Sequence, residues 1–362
     1  MDGPRPFEAN PGLIAFHSRT AVDRLEVRVN GRRYRTLTLP QPTRRSTVGP
    51  IGLPSRDLTI TVIAYHHGAR IGTQTATNVL RLPRASMAVH RATTTSTRAQ
   101  QRMRRIARPA TTAAAWAVNL SSGRGASYNA GARFTAASTV KLPILIAILI
   151  NRRADVVHSD IWGTLQSMIR ESSNDAANDA LLTLAGSLPA GGARATWVAH
   201  RLGATHTNVA SGYLPGQDRS GPNPPVLVND QPDVPCCKQT TAHDLGVLMQ
   251  SIVEAAAGHG KARQLGLTGR DARVALWLLA HTDDRGLFKP WTRFVTAHKI
   301  GFVDRAWHDV AVVFTHDGPL VVVAMTDNPG GASKSAAAEY GRGILGVATR
   351  DLGLPSVVGP AR

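Results

Sequence analysis

The chain has 362 residues, of which 43% are hydrophobic and 5% aromatic. That length accommodates one to three domains, and that composition is typical of a globular protein with an aliphatic core. The longest apolar run, residues 142–150, falls far short of the roughly 20 residues that span a bilayer, so we expect no transmembrane helix.

The formal net charge of +18 is unevenly distributed along the chain. Residues 1–110 contain 19 arginines, no lysine and 5 acidic residues, whereas the remaining 252 residues carry a net charge of only +4. A basic first third attracts polyanions such as nucleic acid, anionic lipid or acidic wall polymer. A solvated arginine-rich surface without a partner is the plainer interpretation. The first residues show no basic segment followed by an apolar one, so we expect no signal peptide.

The two cysteines, Cys236 and Cys237, are adjacent in the sequence. Neighbouring cysteines rarely reach good disulfide geometry. Two thiols with no histidine at zinc-finger spacing also make a poor metal site. We interpret the pair as structural or incidental, and the sequence predicts neither a metal nor a cofactor.

Residues 12–82 have the pattern of a small all-β unit. Apolar residues alternate with polar ones at Leu25, Val27 and Val29, and Asn30-Gly31 is a strong hairpin signal. Short strands with regular turns predict a β-sandwich of immunoglobulin type. We therefore expect a β-sandwich module over residues 1–84, which serves as a binding or spacer module.

A basic linker over residues 85–110, ending in a helix, then leads into a domain over residues 111–362. In this domain, strand patterns occupy both ends and helical patterns the middle. Residues 113–120 and 125–134 resemble strands, as do the three late segments 294–303, 308–316 and 319–327. A closing helix is predicted at about 333–351. A sheet built from both ends of a domain, with helices inserted between, is an α/β or α+β layered architecture.

A lysine stands at the head of the apolar run. Lys141 follows Ser138 by three positions, so the two side chains share one helix face if Ser138 begins the helix. The helix N-terminus and burial then lower the lysine pKa toward that of a useful base, which activates the serine without a histidine. The competing interpretation is a capping serine and a lysine that extends its amine to solvent.

Two downstream segments carry residues that suit the same chemistry. Ser172 can relay a proton and Asn174 can anchor Lys141 or a substrate carbonyl. Lys299 can hold a substrate carboxylate, and Gly301 permits close approach of the substrate backbone. The N–H of Phe302, with that of Ser138, can form an oxyanion hole. The plainer alternatives are a helix N-cap for the first segment and an exposed lysine on an ordinary strand for the second.

Together, three motifs resemble those of the class A β-lactamases and their penicillin-binding relatives. They are Ser138-Thr139-Val140-Lys141, Ser172-Ser173-Asn174 and Lys299-Ile300-Gly301. The resemblance covers about residues 90–352 and implies a serine β-lactamase-like fold, in which an antiparallel sheet is flanked by helices and an all-helical lobe is inserted.

The resemblance also implies the roles of single residues. Ser138 is then the acylated nucleophile and Lys141 its base. Ser172 is the proton relay, Asn174 an anchor for substrate and lysine, and Lys299 part of the carboxylate pocket. Members of this family act outside the cytoplasm, so the resemblance implies an extracellular or cell-envelope location.

Three departures from the family pattern bear on activity. Ser173 stands where the family has a mostly structural Asp, and Ile300 stands where it has a hydroxyl that binds the substrate carboxylate. Such a charge-assisted hydrogen bond contributes roughly 1.5–3 kcal/mol. The deacylating Glu is missing, since no Glu occurs between Glu171 and Glu254. Tyr213 falls near its position in a loose alignment, and Asp218 is the nearby carboxylate in the wrong register.

The sequence therefore favours a serine hydrolase that opens β-lactams through an acyl-enzyme with slow deacylation. A peptidoglycan D,D-peptidase and a degenerate domain that binds cell-wall polymer are the alternatives. We expect a β-lactam or peptidoglycan-like substrate, with an anionic wall polymer as partner of the basic module. No aromatic platform accompanies the arginines, which argues against nucleic acid.

Overall fold

The computed structural model describes residues 14–49, 51, 53, 57–80, 94–106, 112–152, 155–213, 231–232, 237–315 and 317–353. Contacts between residues divide the chain into two units, Met1–Arg84 and Ala85–Arg362. A separate linker over residues 85–110 stays a prediction. Its helical half belongs to the second unit, because the buried side chains of Ala99 and Met103 join that unit's core.

The first unit is all-β, as its alternating pattern predicts. Its described strands are β1 (Ile14–Val29), β2 (Arg32–Val48), β3 (Asp57–His66) and β4 (Ala69–Leu80). They form one antiparallel sheet in the order β2-β1-β3-β4. Leu25 and Val27 are buried on β1, and the predicted hairpin turns with positive φ at Asn30 and Gly31. The second sheet that a sandwich requires stays a prediction.

The second unit follows the predicted order of strands, helices, strands and a closing helix. Its described elements are β5 (Thr94–Thr95), α1 (Thr97–Arg105), β6 (Thr112–Asn119), β7 (Arg124–Tyr128), β8 (Arg133–Thr135), α2 (Lys141–Asn151), α3 (Trp162–Gln166), α4 (Asn174–Ala185), α5 (Leu188–Leu202), β9 (Gln239–Thr241), α6 (Ala242–Ala256), α7 (Lys261–Gln264), α8 (Gly269–Ala280), β10 (Thr296–Val303), β11 (Ala306–Thr315), β12 (Gly318–Asp327) and α9 (Lys334–Asp351). Short turns of 3₁₀ or π type cover Ala137–Val140, Val156–His158, Ser167–Glu171 and Lys289–Trp291.

The main sheet draws its strands from both ends of the second unit. Its order is β10-β11-β12-β6-β7-β5, and it is antiparallel except where β5 joins β7. Helices α1 and α9 pack on one face, where Ala115 and Ala117 of β6 reach their core. The side chain between them, Trp116, lies against Gly246 of α6 on the opposite face. The sheet is thus flanked by helices on both faces, and β10 is its edge strand.

Helix α2 is the centre of the helical part. Every residue from Lys141 to Leu149 is buried, and α4, α5, α6 and α8 all contact this helix. The run that forms α2 is apolar around its whole circumference, which predicted a central helix with no face exposed to water.

In the part of the chain that the structure describes, no helix is both long and apolar enough to cross a membrane. Cys237 is disulfide-bonded, contrary to the expectation for adjacent cysteines, and Cys236 lies outside the described residues.

Candidate active site

Ser138 lies one turn before the α-helix rather than at its first residue. It belongs to the 3₁₀ turn Ala137–Val140, and α2 begins at Lys141. Pro143 accounts for this difference, because it has no N–H to donate to the carbonyl of Thr139, four residues earlier, as a regular α-helix requires. The tighter turn is entered through Ala137 at a φ of 49°. Ser138 remains partly exposed, while its neighbours Ala137 and Thr139 are buried.

The amine of Lys141 is surrounded by oxygen atoms although the side chain is fully buried. Its Nζ lies 3.0 Å from Ser138 Oγ and 2.7 Å from Asn174 Oδ1. It also lies 2.5 Å from the Ser172 carbonyl oxygen and 3.4 Å from Ser172 Oγ. With no exposed surface, the amine does not extend to solvent, so that interpretation of Lys141 is wrong.

The neutral form of the Lys141 amine matches this set of neighbours. A neutral amine has two N–H donors and one lone pair. The donors satisfy the Ser172 carbonyl and Asn174 Oδ1, and the lone pair can accept the Ser138 hydroxyl proton. Burial, and secondarily the charge of Lys299, lower the pKa of Lys141 to about 7. A large fraction of the amine is therefore neutral at physiological pH.

Ser172 sits between the two lysines of the site. It follows the π turn Ser167–Glu171 with a left-handed φ of 62°, a conformation uncommon for serine. Its Oγ accepts from Lys299 Nζ at 2.9 Å and lies near Lys141 as described above. The helix-cap role falls instead on Ser173, whose Oγ accepts from Ala176 N at 3.2 Å. Ser172 and Asn174 are thereby left to contact Lys141.

Lys299 lies on the edge strand β10 and is only 1% exposed, so the alternative of an exposed strand lysine is wrong. Burial lowers the pKa of Lys299 to about 8, while Asp309 and Asp284 oppose that shift. Its Nζ donates to Ser172 Oγ and to the Ile300 carbonyl at 3.1 Å. Since a charged ammonium has three donors, one N–H is left for a further acceptor.

A buried acid–imidazole pair stands behind Lys299. His298 Nδ1 lies 3.1 Å from Asp309 Oδ1, and the backbone N–H of Leu287 donates to Asp309 Oδ2 at 2.7 Å. Thr282 Oγ1 lies 2.6 Å from His298 Nε2. This pair was not predicted from the sequence. His298 precedes Lys299 in the sequence, but Asp309 is brought beside it only by the β10–β11 register, which pairs Asp309 with Ile300.

Gly301 is required by the fold of the site itself. A Cβ at this position would lie 2.9 Å from Ala136 O and Thr139 N, and 3.0 Å from Ser138 N. The glycine thus lets β10 lie directly against the serine turn. The next residue, Phe302, is 54% exposed and stacks on Trp307 at 4.7 Å between ring centroids. The backbone N–H of Phe302 directly follows Gly301, the residue that lies against Ser138 N.

Tyr213 approaches the same lysine from the loop after α5. The Lys141 Nζ lies 4.7 Å from its ring centroid, and its hydroxyl donates to the Ala137 carbonyl at 3.3 Å. Asn178 Oδ1 accepts from the Tyr213 N–H at 2.7 Å, and buried Lys238 lies 5.0 Å from the ring. Asn178 and Lys238 were not predicted. Asp218, the other residue considered in this loop, lies outside the described residues.

This constellation has counterparts in known proteins. The model of a family described as "Beta-lactamase enzyme family" matches residues 97–161 and 149–345, which is well over half of the chain. The chain belongs to this family. The resemblance inferred from the three motifs is therefore confirmed.

Solved structures share the fold of the second unit. PBP-A has been solved as a point mutant in an acyl-enzyme complex with penicillin G. Its chain is 21% identical, with a TM-score of 0.50, and the match covers 69% of this chain and 96% of that one. A β-lactamase from Desulfarculus baarsii is 19% identical, with a TM-score of 0.50, over 68% of this chain and 96% of that one.

A β-lactamase from Streptosporangium roseum is likewise 19% identical, with a TM-score of 0.51, over 70% of this chain and 100% of that one. At these identities the likeness concerns the fold alone. It confirms the predicted β-lactamase-like fold, in which helices flank the sheet. No curated protein sequence matches the chain.

Proposed function

We propose that this member of the family is a serine hydrolase that opens β-lactam amides through an acyl-enzyme on Ser138. The observation that carries the proposal is the 3.0 Å separation between Lys141 Nζ and Ser138 Oγ. A buried amine with a pKa near 7 is a competent general base at neutral pH. A partly exposed hydroxyl beside such a base is an activated nucleophile.

Acylation then proceeds in two steps, formation of a tetrahedral intermediate and its collapse to the acyl-enzyme. Neutral Lys141 accepts the Ser138 proton while Oγ forms a bond to the lactam carbonyl carbon. The resulting oxyanion accepts hydrogen bonds from the backbone N–H groups of Ser138 and Phe302. The carbonyl then re-forms as the C–N bond breaks. The Ser172 hydroxyl delivers a proton to the departing nitrogen and takes one from a neighbouring lysine ammonium. The remaining N–H of Lys299 binds the substrate carboxylate.

Deacylation is slow in this proposal. The sequence from residue 172 to residue 253 contains no Glu, and the described side chain that approaches the serine turn from the loop after α5 is Tyr213. A phenol held against a carbonyl oxygen is a poor base for water at neutral pH. General-base assistance of about 10²–10⁴-fold is lost, so the acyl-enzyme accumulates.

The second candidate function is a peptidoglycan D,D-peptidase with the same nucleophile. The missing Glu favours it, because an acyl-enzyme that water attacks slowly survives long enough to meet an amine acceptor. A catalytically degenerate wall-binding domain is the third candidate. The contacts of Lys141 Nζ with Ser138, Ser172 and Asn174 argue against it, because they hold a buried base beside the nucleophile, as an acyl-enzyme mechanism requires.

Incubation with a fluorescent penicillin tests these candidates. The wild type becomes labelled and Ser138→Ala does not, while Ser335→Ala, an exposed serine on α9, labels like the wild type and serves as the matched control. Label lost within seconds indicates efficient β-lactamase turnover. Label that persists and transfers to an added D-amino acid indicates the peptidase. The absence of label on the correctly folded wild type would refute the acyl-enzyme proposal.

The basic first unit supplies a second, separate proposal. Strand β2 carries five exposed arginines and no acidic residue; they are Arg32, Arg33, Arg35, Arg44 and Arg45. None of them forms an ion pair with another described residue. We propose that this strand binds an anionic cell-wall polymer, in keeping with an exported, envelope location. The charges act over several ångströms and give an ionic-strength-dependent attraction.

Sedimentation of the full chain with purified, phosphate-bearing wall polymer tests this proposal. Replacement of the five arginines by glutamine is expected to abolish co-sedimentation while penicillin labelling is unchanged. Binding of the wild type to duplex DNA but not to wall polymer would contradict the proposal and support the nucleic-acid alternative.

A further inference from the structure

The segment of residues 281–287, between α8 and β10, is bonded to the turn that precedes Ser172. The Asp283 N–H donates to the Arg170 carbonyl at 3.0 Å, and Arg170 Nε donates to the His281 carbonyl at 3.2 Å. Arg170 belongs to the π turn that ends just before Ser172. The position of this segment therefore bears directly on the position of Ser172.

The same segment is bonded to β10 and β11 through three buried side chains in a row. Thr282 Oγ1 lies 2.6 Å from His298 Nε2, and His298 Nδ1 lies 3.1 Å from Asp309 Oδ1. The Leu287 N–H donates to Asp309 Oδ2 at 2.7 Å. A hydroxyl, an imidazole and a carboxylate in this order act as nucleophile and base where a substrate can reach them. Here His298 and Asp309 are fully buried and Thr282 is 7% exposed, so the row acts only through the residues that it holds in place.

Gly286 allows the segment to lie directly against this row. Its φ is 60°, and a Cβ at this position would lie 2.2 Å from Asp309 Oδ2 and 2.7 Å from His298 Nδ1. Any other residue would displace either the segment or the acid–imidazole pair. The segment thus joins the turn of Ser172 to the strand of Lys299.

Asp309 also acts on Lys299 through its charge. The β10–β11 register pairs Asp309 with Ile300, and successive strand residues point to opposite faces. Asp309 therefore lies behind β10, while Lys299 Nζ on the other face contacts Ser172 Oγ at 2.9 Å. Burial lowers the pKa of Lys299 to about 8, and the negative charge of Asp309 opposes that shift. The carboxylate behind the strand therefore favours an ammonium at Lys299.

The titratable groups around Lys299 come from every element packed against it. They are Lys141 of α2, Asp284 of the segment before β10, His298 of β10 itself, and His308 and Asp309 of β11. His308 is neutral, because burial lowers its pKa to about 4, and Asp284 is paired with Lys334 at 2.7 Å. The charged side chains of α8 bond away from β10; they are Arg270, Asp271 and Arg273. Asp309 is thus a buried negative charge that no described lysine or arginine pairs with directly.

We propose that His298 and Asp309 are positioning residues that act through Lys299. Their bonds brace β10 against the Ser172 turn, and the charge of Asp309 maintains the ammonium that binds the substrate carboxylate. This inference rests on the proposed function, in which Lys299 binds that carboxylate during acylation of Ser138.

Asp309→Asn removes the charge and keeps the brace. The amide oxygen can accept the Leu287 N–H, and the amide nitrogen can donate to Nδ1 of the other His298 tautomer. His298 Nε2 then donates to Thr282 Oγ1, whose own proton is directed to the Asp284 carbonyl, 3.3 Å away. The substitution therefore tests the charge alone.

The measurement is the pH profile of labelling with fluorescent penicillin. Loss of the negative charge lowers the Lys299 pKa, so the ammonium is lost at lower pH. We expect the falling, alkaline limb of Asp309→Asn to move down by about one pH unit. Asp304→Asn, the same change at an exposed position of the same hairpin, is expected to keep the wild-type profile. An unchanged alkaline limb in Asp309→Asn, or equal slowing at every pH, would overturn the role of its charge.

Thr282→Val breaks the brace and keeps the charge. Valine has the shape of threonine without its hydroxyl, so His298 loses its bond to the segment. We expect labelling to slow several-fold at every pH while the alkaline limb stays in place. Thr183→Val, at an exposed position of α4, is the control. Wild-type labelling by Thr282→Val would refute the brace. Melting temperatures establish folding, and Asp309→Asn keeps the test decisive if Thr282→Val does not fold.

Ser138→Ala distinguishes failure of this proposal from failure of the proposed function. This variant cannot be acylated, so calorimetry measures penicillin binding alone. Its affinity is expected to decline at lower pH once Asp309→Asn is added. An unlabelled, folded wild type together with this shift would refute the acyl-enzyme and leave the role of Asp309 standing. Absence of the shift from both labelling and binding would refute the role of Asp309, whether or not Ser138 is acylated.

Discussion

The Nζ atom of Lys141 lies 3.0 Å from the Oγ atom of Ser138, and the lysine side chain is fully buried. A hydroxyl this close to an amine can give up its proton to that amine only when the amine is neutral. Because burial lowers the pKa of the amine to about 7, a large fraction of Lys141 is neutral and able to accept the Ser138 proton over much of the physiological range.

Replacement of Lys141 by Met tests whether this amine is the base. Met is of similar length but cannot accept a proton, so we expect the rate of penicillin acylation to fall about 10²–10⁴-fold. The measurement is the labelling rate under excess fluorescent penicillin. Ser335→Ala is the control, and a Lys141→Met rate within a few-fold of the wild type would contradict the role.

The same variant has a second, independent signature in stability. The pKa of Lys141 is about 7 in the folded chain, against roughly 10.4 in an unfolded one. Between these values the unfolded chain binds more protons, so the free energy of unfolding rises with pH. We expect the wild type to gain about 3.5 kcal/mol more than Lys141→Met between pH 7 and 10, measured by urea titrations. Parallel curves would show that Lys141 is not desolvated.

The pH profile of acylation follows from both lysines. Lys141 acts when neutral, so the rate rises as pH increases through about 7. Lys299 binds a carboxylate when charged, so the rate falls as pH increases through about 8. We expect a narrow bell with its maximum between these values. A rate that keeps rising above pH 9 would remove Lys299 from substrate binding, and a rate that is constant below pH 7 would remove Lys141 as base.

Much of this site was predictable from sequence because its chemistry is carried by short motifs. The pairing of Ser138 with Lys141 needs only one helical turn, and the apolar run after it already indicates burial. Likewise, the three late segments 294–303, 308–316 and 319–327 were recognisable as strands, and they form β10, β11 and β12 of the sheet. Local rules of this kind do not need knowledge of the tertiary fold.

Contacts between distant segments were not predictable in the same way. The proximity of Asp309 to His298 depends on the β10–β11 register, and that of Lys238 to Tyr213 on how a loop returns to the helical lobe. The position of Ser173 as helix cap, rather than Ser172, depends on a left-handed residue that no local pattern announces. Gly301 was expected to make room for substrate, whereas its neighbours are the backbone atoms of the serine turn.

Gly301→Ala is expected to impair acylation more than folding. The new Cβ would meet Ser138 N at 3.0 Å and Thr139 N at 2.9 Å, and these are backbone atoms that cannot rotate away. The serine turn must therefore shift relative to β10 by several tenths of an ångström. A misplacement of the nucleophile and the N–H groups beside it lowers the acylation rate, and we expect a loss of 10–100-fold, on the order of what a displacement of 1 Å costs.

Gly330→Ala provides the matched control for this substitution, because its Cβ would find only Asn328 Oδ1, at 3.5 Å. We expect its acylation rate and melting temperature to equal those of the wild type. Wild-type acylation by Gly301→Ala would mean that the serine turn adapts freely, and that the contact with β10 does not position Ser138.

Tyr213→Glu is expected to accelerate deacylation. The Tyr213 ring lies 4.7 Å from Lys141 Nζ, and its hydroxyl reaches the carbonyl of Ala137, next to the nucleophile. Its backbone is fixed by Asn178, which accepts the Tyr213 N–H. A carboxylate at this position is shorter than a phenol, so it leaves room for a water molecule and can take a proton from it. We expect the half-life of the penicillin label to fall at least tenfold, within the range of general-base assistance.

Tyr213→Gln separates the base from the space it needs. Gln has the size of Glu but cannot accept a proton, so its label is expected to persist nearly as long as that of the wild type. The half-lives are measured after removal of free penicillin, and acylation by both variants confirms that Ser138 is intact. Equal acceleration in Glu and Gln variants would show that Tyr213 slows deacylation by excluding water, and that a missing base is not the cause.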